Sequence, residues 1–386
     1  MYITNDVKYI GVNDPKIDFF EGQYPAPNGM AYNSYVILDE KIAVMDSVEA
    51  GFGTQWLANL KMVIGDKAPD YLVVHHMEPD HSANIHNFMQ KYPDTKIVAS
   101  AKAFAVMKNF FGTDYPDNQI AVGDGDSLSL GRHNLTFITA PMVHWPEVIM
   151  TYDSTDKILF SADAFGKFGT LDVEEEWLSE ARRYYIGIVG KYGVQVQNML
   201  KKLSGFDIQK ICSLHGPVLV ENADYYINKY NVWSSYKAEE KGVVIAYTSV
   251  YGNIKKAVMQ LERTLLDNGV EVKVHDILRE DWTTAVGDAF CYDKLVLATT
   301  TYNGDIFPAM KQYIQHLTER NFSNRKVAFI ESGSWAPVAV KIMKAMLEKS
   351  KNLIFAQNDV KILSALDETS TAQLNALAEE LATDTI

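Results

Sequence analysis

The sequence predicts an α/β chain built in two parts, and three observations carry that expectation. Short apolar runs of strand character recur, among them Tyr71-Leu72-Val73-Val74, Leu135-Thr136-Phe137-Ile138 and Ile208 to Leu214, and each runs into a loop bearing ionisable residues. Past residue 240 the pattern changes. Gly242-Val243-Val244-Ile245-Ala246-Tyr247 reads as a buried parallel strand, followed by a helix in which Ile254, Val258, Leu261 and Leu265 recur at helical spacing before the stop Asp267-Asn268-Gly269. Between the two patterns lies the polar, charged stretch Ser234-Ser235-Tyr236-Lys237-Ala238-Glu239-Glu240-Lys241, which divides the chain into 1–240 and 241–386. At 386 residues with 47% hydrophobic content, each part can bury a core of its own.

In the first part, His76-Met77-Glu78-Pro79-Asp80-His81 packs four potential metal ligands into six residues. Residues two apart in an extended segment face the same side, so His76 and Glu78 can reach one ion together. Pro79 biases Glu78 away from helix and bends the chain, which lets Asp80 and His81 face a second ion. His144, Asp163 and His215 follow downstream, each where a strand gives way to a loop. Alone, each is best read as a satisfied polar residue at a strand end; as a series they fit a two-metal site.

The order His-x-Glu-x-Asp-His, then His, Asp and His, with Ser161-Ala162-Asp163-Ala164-Phe165-Gly166 and Leu214-His215-Gly216, resembles the flavodiiron proteins. So do Phe20-Glu21-Gly22 and Gly29-Met30-Ala31-Tyr32-Asn33-Ser34-Tyr35, although Tyr24 stands where that family usually has Trp. The resemblance implies a metallo-β-lactamase-like αββα sandwich in which His76, Glu78 and His144 hold one iron, Asp80, His81 and His215 the other, and Asp163 bridges them. In some members the histidine matching His81 turns away from the metal. The zinc hydrolases of that fold carry His at the position of Glu78; a carboxylate there favours iron, though zinc also accepts one. His75, His86, His133, His275 and His316 match no motif position and read as structural or exposed, His75 pointing away from the cluster unless it lies behind a ligand. Asp46 reads either as a carboxylate behind a metal ligand or as a turn residue.

In the second part, the loop after the strand at 242–247 contains Ser249, Val250, Tyr251, Gly252, Asn253 and Ile254 and leads into a helix N-terminus, an arrangement that binds anions through free backbone N–H groups. Two later apolar strands end in Thr300-Thr301-Tyr302-Asn303-Gly304 and Ser332-Gly333-Ser334-Trp335-Ala336, where Tyr302 and Trp335 can wall a flat ring. The alternative for each aromatic is an ordinary core or rim role. The set resembles flavodoxin and its flavin mononucleotide (FMN) site, a five-stranded doubly wound parallel sheet with the ligand at its carboxyl edge. Ile254 replaces the usual Thr, so one phosphate hydroxyl is missing.

The only cysteines, Cys212 and Cys291, form no C-x-x-C pair, which excludes a rubredoxin-like or iron–sulfur centre among these residues; both read as buried hydrophobes. A net charge of −13 makes nucleic acid and anionic membrane poor partners. With no leader pattern and no apolar run of membrane length, a cytoplasmic location is expected. The resemblance implies reduction of dioxygen to water, of nitric oxide to nitrous oxide, or both, at two irons fed by FMN. It further implies electrons from rubredoxin, a reduced deazaflavin or a flavin reductase, and a head-to-tail homodimer or a dimer of dimers. The metal ligands would then be the catalytic residues. A zinc-dependent hydrolase with a fused flavodoxin-like domain is the second reading, and an electron carrier with a structural metal is the third.

Overall fold

The computed structural model describes residues 2–383. The chain forms two compact units that divide between Asn231 and Val232.

The first unit is built on two sheets. One takes the strands Val7–Tyr9, Tyr35–Ile37, Ala43–Met45, Tyr71–Val74, Lys96–Ser100 and Gln119–Val122 in that spatial order, and the other takes Ser127–Ser129, Asn134–Thr139, Ile149–Asp153, Ile158–Phe160 and Lys210–Cys212. Apolar residues from both meet in one core, with Tyr35, Met45, Val73 and Val98 of the first sheet against Phe137, Ile149, Phe160 and Cys212 of the second. Burying such side chains stabilises by about 1.5–3 kcal/mol each, which is why the inward positions are uniformly apolar. Trp56, Leu60, Phe88, Phe104 and Met107, and Ala181, Val196, Met199 and Leu203, are buried on helices that lie outside this core, completing an αββα sandwich.

Strand direction positions the site. The pairs Ala43–Met45/Tyr71–Val74 and Ile158–Phe160/Lys210–Cys212 are parallel. The strand Asn134–Thr139 runs the same way as Ile158–Phe160, because two antiparallel steps separate them. In the second sheet, the loops bearing His144, Asp163 and His215 therefore leave one common edge.

The second unit is a parallel sheet in the order Val272–Asp276, Glu240–Tyr247, Tyr292–Tyr302, Lys326–Ser332, then a last strand split into Ile354–Phe355 and Val360–Ile362, with Asp305–Ile306 added antiparallel to the end of Tyr292–Tyr302. This is the flavodoxin-like doubly wound order. The helix Asn253–Asp267 packs Ile254, Ala257, Val258, Leu261 and Leu265 on the sheet, and Gly269 at φ +76° takes the left-handed conformation that ends it. Among the described residues no helix is long and apolar enough to cross a membrane.

Candidate metal centre and flavin cleft

After the strand Tyr71–Val74 the chain bends at His75 and again at Glu78 (φ −60°, ψ 139°), and Pro79 opens the single helical turn Pro79–Ser82. The turn swings Asp80 and His81 round and is held by Ser82 Oγ donating to the Met77 carbonyl (2.8 Å) and Ser47 Oγ to that of His81 (2.7 Å). The Asp163 loop is shaped by two left-handed residues, Ala162 and Phe165, and by Tyr230 Oη accepting the Phe165 N–H at 2.6 Å. Asn33 Nδ2 fixes the His215 loop by donating to the carbonyls of Ser213 (2.9 Å) and Gly216 (2.7 Å).

These loops bring all seven predicted metal residues together, in two groups. His144 Nε2 lies 3.1 Å from Glu78 Oε2 and 3.0 Å from Asp163 Oδ2, and His76 Nε2 lies 3.2 and 3.5 Å from the same two oxygens. In the other group His81 Nε2 lies 3.1 Å from His215 Nε2, 3.2 Å from Asp80 Oδ2 and 3.1 Å from Asp163 Oδ1, and His215 Nε2 lies 3.4 and 3.7 Å from those oxygens. Asp163 thus offers one oxygen to each group, and His81 turns its Nε2 inward. Ligand bonds of about 2.0–2.2 Å around one ion separate neighbouring donors by roughly 3.0 Å in octahedral and 3.4 Å in tetrahedral geometry, and all the separations but the two longest, 3.5 and 3.7 Å to Asp163, fall in that range.

The electrostatics point to the same occupant. Burial alone would lower the pKa of His76, but Asp163, Glu147 and Glu78 outweigh it and hold that pKa well above the histidine range. His144 is pushed up to about 9 against burial by Asp163 and Glu78, and Glu78 down to about 2 against burial by His144 and His76. Asp163, also buried, is held well below the carboxylate range by His81 and His76. A pocket that draws protons onto buried imidazoles has an excess of negative charge, which two divalent cations would neutralise. Both oxygens of Asp80 and Oδ1 of Asp163 are buried and accept no hydrogen bond, an arrangement costly unless they ligate. The residues present therefore fit a pair of metal ions with mixed imidazole and carboxylate donors.

Two residues beside this cluster were missed from sequence. Glu147, buried, accepts from His76 Nδ1 (2.8 Å) and from the Met77 N–H (3.0 Å), which leaves Nε2 of His76 free to ligate. The carbonyl of Ala31 does the same for His215 Nδ1 at 2.8 Å. Tyr184 packs its ring on His215, and its fully buried hydroxyl has no hydrogen-bond partner. Burial first, then the charges of Asp163, Glu78 and Asp80, raise its pKa, so it stays protonated. Phe20 and Tyr32 also wall His215, and Trp145 walls His76 and His144.

Other expectations resolve differently. His75 does face away: its Nε2 bonds Thr151 Oγ1 at 2.7 Å and its Nδ1 bonds Asp46. Asp46 also accepts the His75 N–H at 2.7 Å and sits at φ +57°, so it is a turn residue holding a structural histidine and has no bond to a metal-site imidazole. Tyr24 is buried, with its hydroxyl donating to the Gly187 carbonyl at 2.8 Å. His133 and His275 are buried against carboxylates, His86 bonds Tyr115 and Gln90, and His316 stacks on Trp282. Both cysteines are buried.

In the second unit the three predicted loops enclose a cleft of about 560 Å³. Every residue expected there except Gly252 lines it, together with Thr300 at the start of the second loop and with Ser364, which sequence reasoning missed. Tyr251, Tyr302 and Trp335 are 92%, 45% and 82% exposed, which rules out a core role and leaves them free to wall a planar ligand. Ser249 Oγ accepts from the N–H groups of Gly252 (3.1 Å) and Lys255 (3.3 Å), so its own proton remains available to a phosphate. Gly252 at φ +87° makes that turn possible. Ile254 contributes only to the floor, because its side chain is buried in the sheet-to-helix core. A phosphate-sized anion at the N-terminus of the helix Asn253–Asp267 and a flat ring between the aromatics fit FMN.

Residues 30–216 match the ODP family β-lactamase domain and residues 244–360 the flavodoxin domain. The chain is 28% identical over 361 residues to the anaerobic nitric oxide reductase flavorubredoxin of Vibrio vulnificus, covering 90% of this chain and 72% of that protein. It is likewise 28% identical to an uncharacterized protein of Methanocaldococcus jannaschii, over 94% of this chain and 92% of the relative. Among solved structures, the rubredoxin oxygen:oxidoreductase of Desulfovibrio gigas superposes with a TM-score of 0.90 at 25% identity, over 98% of this chain and 97% of that one. The Giardia intestinalis flavodiiron protein shares the fold with the same TM-score at 24% identity, over 98% and 96% of the chains. Both domains are matched in this order, and over nearly its whole length the chain is similar to flavorubredoxins and flavodiiron proteins.

Proposed function

We propose that the protein is an oxidoreductase that reduces dioxygen to water, nitric oxide to nitrous oxide, or both, at two iron ions supplied with electrons by FMN. The observation that carries this reading is Asp163, whose two oxygens each complete a separate group of ligand atoms, one of them containing the carboxylate Glu78. His76, Glu78 and His144 would hold one iron, Asp80, His81 and His215 the other, with Asp163 between them. When bound, the two ferrous ions and the reduced flavin supply four electrons, enough with four protons to convert dioxygen to two waters, or two electrons with two protons to join two nitric oxides as nitrous oxide and water.

The protein's own groups set the conditions for that chemistry. Glu147 and the Ala31 carbonyl orient His76 and His215, so neither imidazole rotates away. Phe20, Tyr32, Tyr184 and Trp145 pack around the imidazoles and limit bulk water. The Tyr184 hydroxyl, packed beside His215 and without a protein partner, is an uncommitted donor suited to hydrogen-bond a small diatomic substrate or pass it a proton, and His81 Nδ1 is likewise buried and unpartnered. In the other unit the Ser249 loop would take the FMN phosphate, and Tyr302 and Trp335 would flank the ring.

The functional division is 1–240 for the metal domain and 241–386 for the flavin domain. The assembly we propose is a head-to-tail homodimer or a dimer of dimers located in the cytoplasm, with electrons from rubredoxin, a reduced deazaflavin or a flavin reductase. Metal and flavin analysis of the purified protein, followed by anaerobic reduction and addition of each gas, tests the function. Two irons and one FMN per chain with gas consumption is the expected result; zinc with ester hydrolysis and no gas consumption would establish the hydrolase instead.

A further inference from the structure

The strands that deliver metal ligands at one edge of the second sheet carry another group of histidine and aspartate at the opposite edge. His133 precedes the strand Asn134–Thr139 that leads to His144, and Asp156 precedes the strand Ile158–Phe160 that leads to Asp163. Asp153 ends the strand Ile149–Asp153, which lies antiparallel between those two and pairs it with Leu135. The 6 residues of the strand Asn134–Thr139, at about 3.3 Å each, set the two edges roughly 20 Å apart, so this group is separate from the metal centre.

Its donor atoms converge. One ligand atom from each of His133, Asp153 and Asp156 lies within 4.8 Å of the others, and His133 Nδ1 is 2.8 Å from Asp153 Oδ2. His133 and Asp153 are fully buried. Oδ2 of Asp156 is buried as well, and it accepts no hydrogen bond. Among the described residues no lysine or arginine pairs with Asp153 or Asp156, because neighbouring Lys157 is taken by Asp207 and Arg132 by Asp6. A proton on His133 Nδ1 serves Asp153 alone and leaves the buried Asp156 oxygen bare, which is costly. One divalent cation can serve all three.

We propose that His133, Asp153 and Asp156 bind a divalent transition-metal ion of zinc's class, with water completing its shell. Zinc accepts a set of one imidazole nitrogen and two carboxylate oxygens, and 2.8 Å is close to the roughly 2.8–3.0 Å between neighbouring octahedral donors on such an ion. The imidazole is also oriented for the purpose. Nε2 lies 3.3 Å from Asp6 Oδ2, so a proton on Nε2 is accepted by that carboxylate and Nδ1 is left to ligate. Arg132 Nη2, 3.0 Å from the same Nε2, can donate to it only while the proton sits on Nδ1, so the ion turns this exposed side chain away. Asp39 Oδ2 holds the His133 N–H at 2.6 Å and keeps the residue in place. The bound ion cross-links the turn 153–157 to the segment before the strand Asn134–Thr139 and braces that edge of the sheet.

The test uses the flavin- and metal-loaded full chain dialysed against micromolar zinc chloride. Diffraction on both sides of the zinc absorption edge should show an anomalous peak between His133 and Asp156, apart from the metals at the other edge. Asp156→Asn, an isosteric change at a turn residue, should weaken zinc binding there by at least the roughly 10–100-fold typical of losing even an outer partner, with flavin content and the metals of the other edge unchanged. His133→Gln should abolish it. Zinc should raise the melting temperature of the wild type and leave that of Asp156→Asn where it was. Zinc found in the wild type only at the other edge, or bound with equal affinity by a folded Asp156→Asn protein, would overturn the site. Neither result depends on whether the protein reduces either gas.

Discussion

Glu147→Gln separates the charge of an outer carboxylate from its shape. The buried Glu147 oxygen that accepts from His76 Nδ1 at 2.8 Å also accepts the Met77 N–H at 3.0 Å. Glutamine can preserve the second bond with its own carbonyl, so the loop should keep its course. It cannot preserve the negative charge behind His76, and if its amide group turned toward Nδ1 it would favour the tautomer that carries a proton on Nε2, the atom that would otherwise ligate. Loss of such a partner costs about 10–100-fold in metal affinity, or roughly 1.4–2.7 kcal/mol. Chelator competition for the metals, with circular dichroism to verify folding, reads this out. Wild-type affinity in a folded Glu147→Gln protein would refute the idea that His76 is oriented through this carboxylate.

Asp46→Asn provides the contrast: it weakens the bonds to His75 and should lower folding stability by about 1–3 kcal/mol in thermal melts while leaving metal content unchanged. Tyr184→Phe removes a hydroxyl with no protein partner, so stability should hold or rise by about 1 kcal/mol, while gas turnover falls by about 10²-fold or more; wild-type turnover would show the hydroxyl to be a spectator. Metal-free protein should lose stability as pH rises. His144 has a folded pKa of about 9 against 6.5 for an ordinary histidine, so its contribution, on the order of 3 kcal/mol, is complete below 6.5 and gone above 9; denaturant melts at pH 6 and pH 9.5 should show the drop, which metals should suppress. Ser249→Ala should weaken FMN binding by about 1–3 kcal/mol in equilibrium titration, through the lost phosphate bond and the loosened turn at Gly252.

How much was legible depended on where the physical signal lay. The metal cluster could be read because His76, Glu78, Asp80 and His81 are dense in sequence and have no packing rationale as a group, and because His144, Asp163 and His215 recur at strand ends. The flavin loops were legible because strand, small-residue turn and helix follow one another locally. Glu147 was not, since its meaning comes from His76, 71 residues away, across two sheets. Tyr184 was hidden among 21 tyrosines on an ordinary amphipathic helix, where only the fold shows its hydroxyl to be buried and unpartnered. Asp46 looked equally suited to two roles until its left-handed backbone and its bonds to His75 decided between them. The last strand escaped as a split element because Ile354–Phe355 and Val360–Ile362 are each too short to carry a period.

The most direct test of the central claim is rapid mixing of the anaerobically reduced protein, with its metals and flavin quantified, against dioxygen and separately against nitric oxide. Oxidation of two irons and one FMN per chain, with water formed without hydrogen peroxide or with one nitrous oxide per two nitric oxides, is the predicted result. A fully loaded protein whose iron and flavin stay reduced in both gases over many seconds would contradict it.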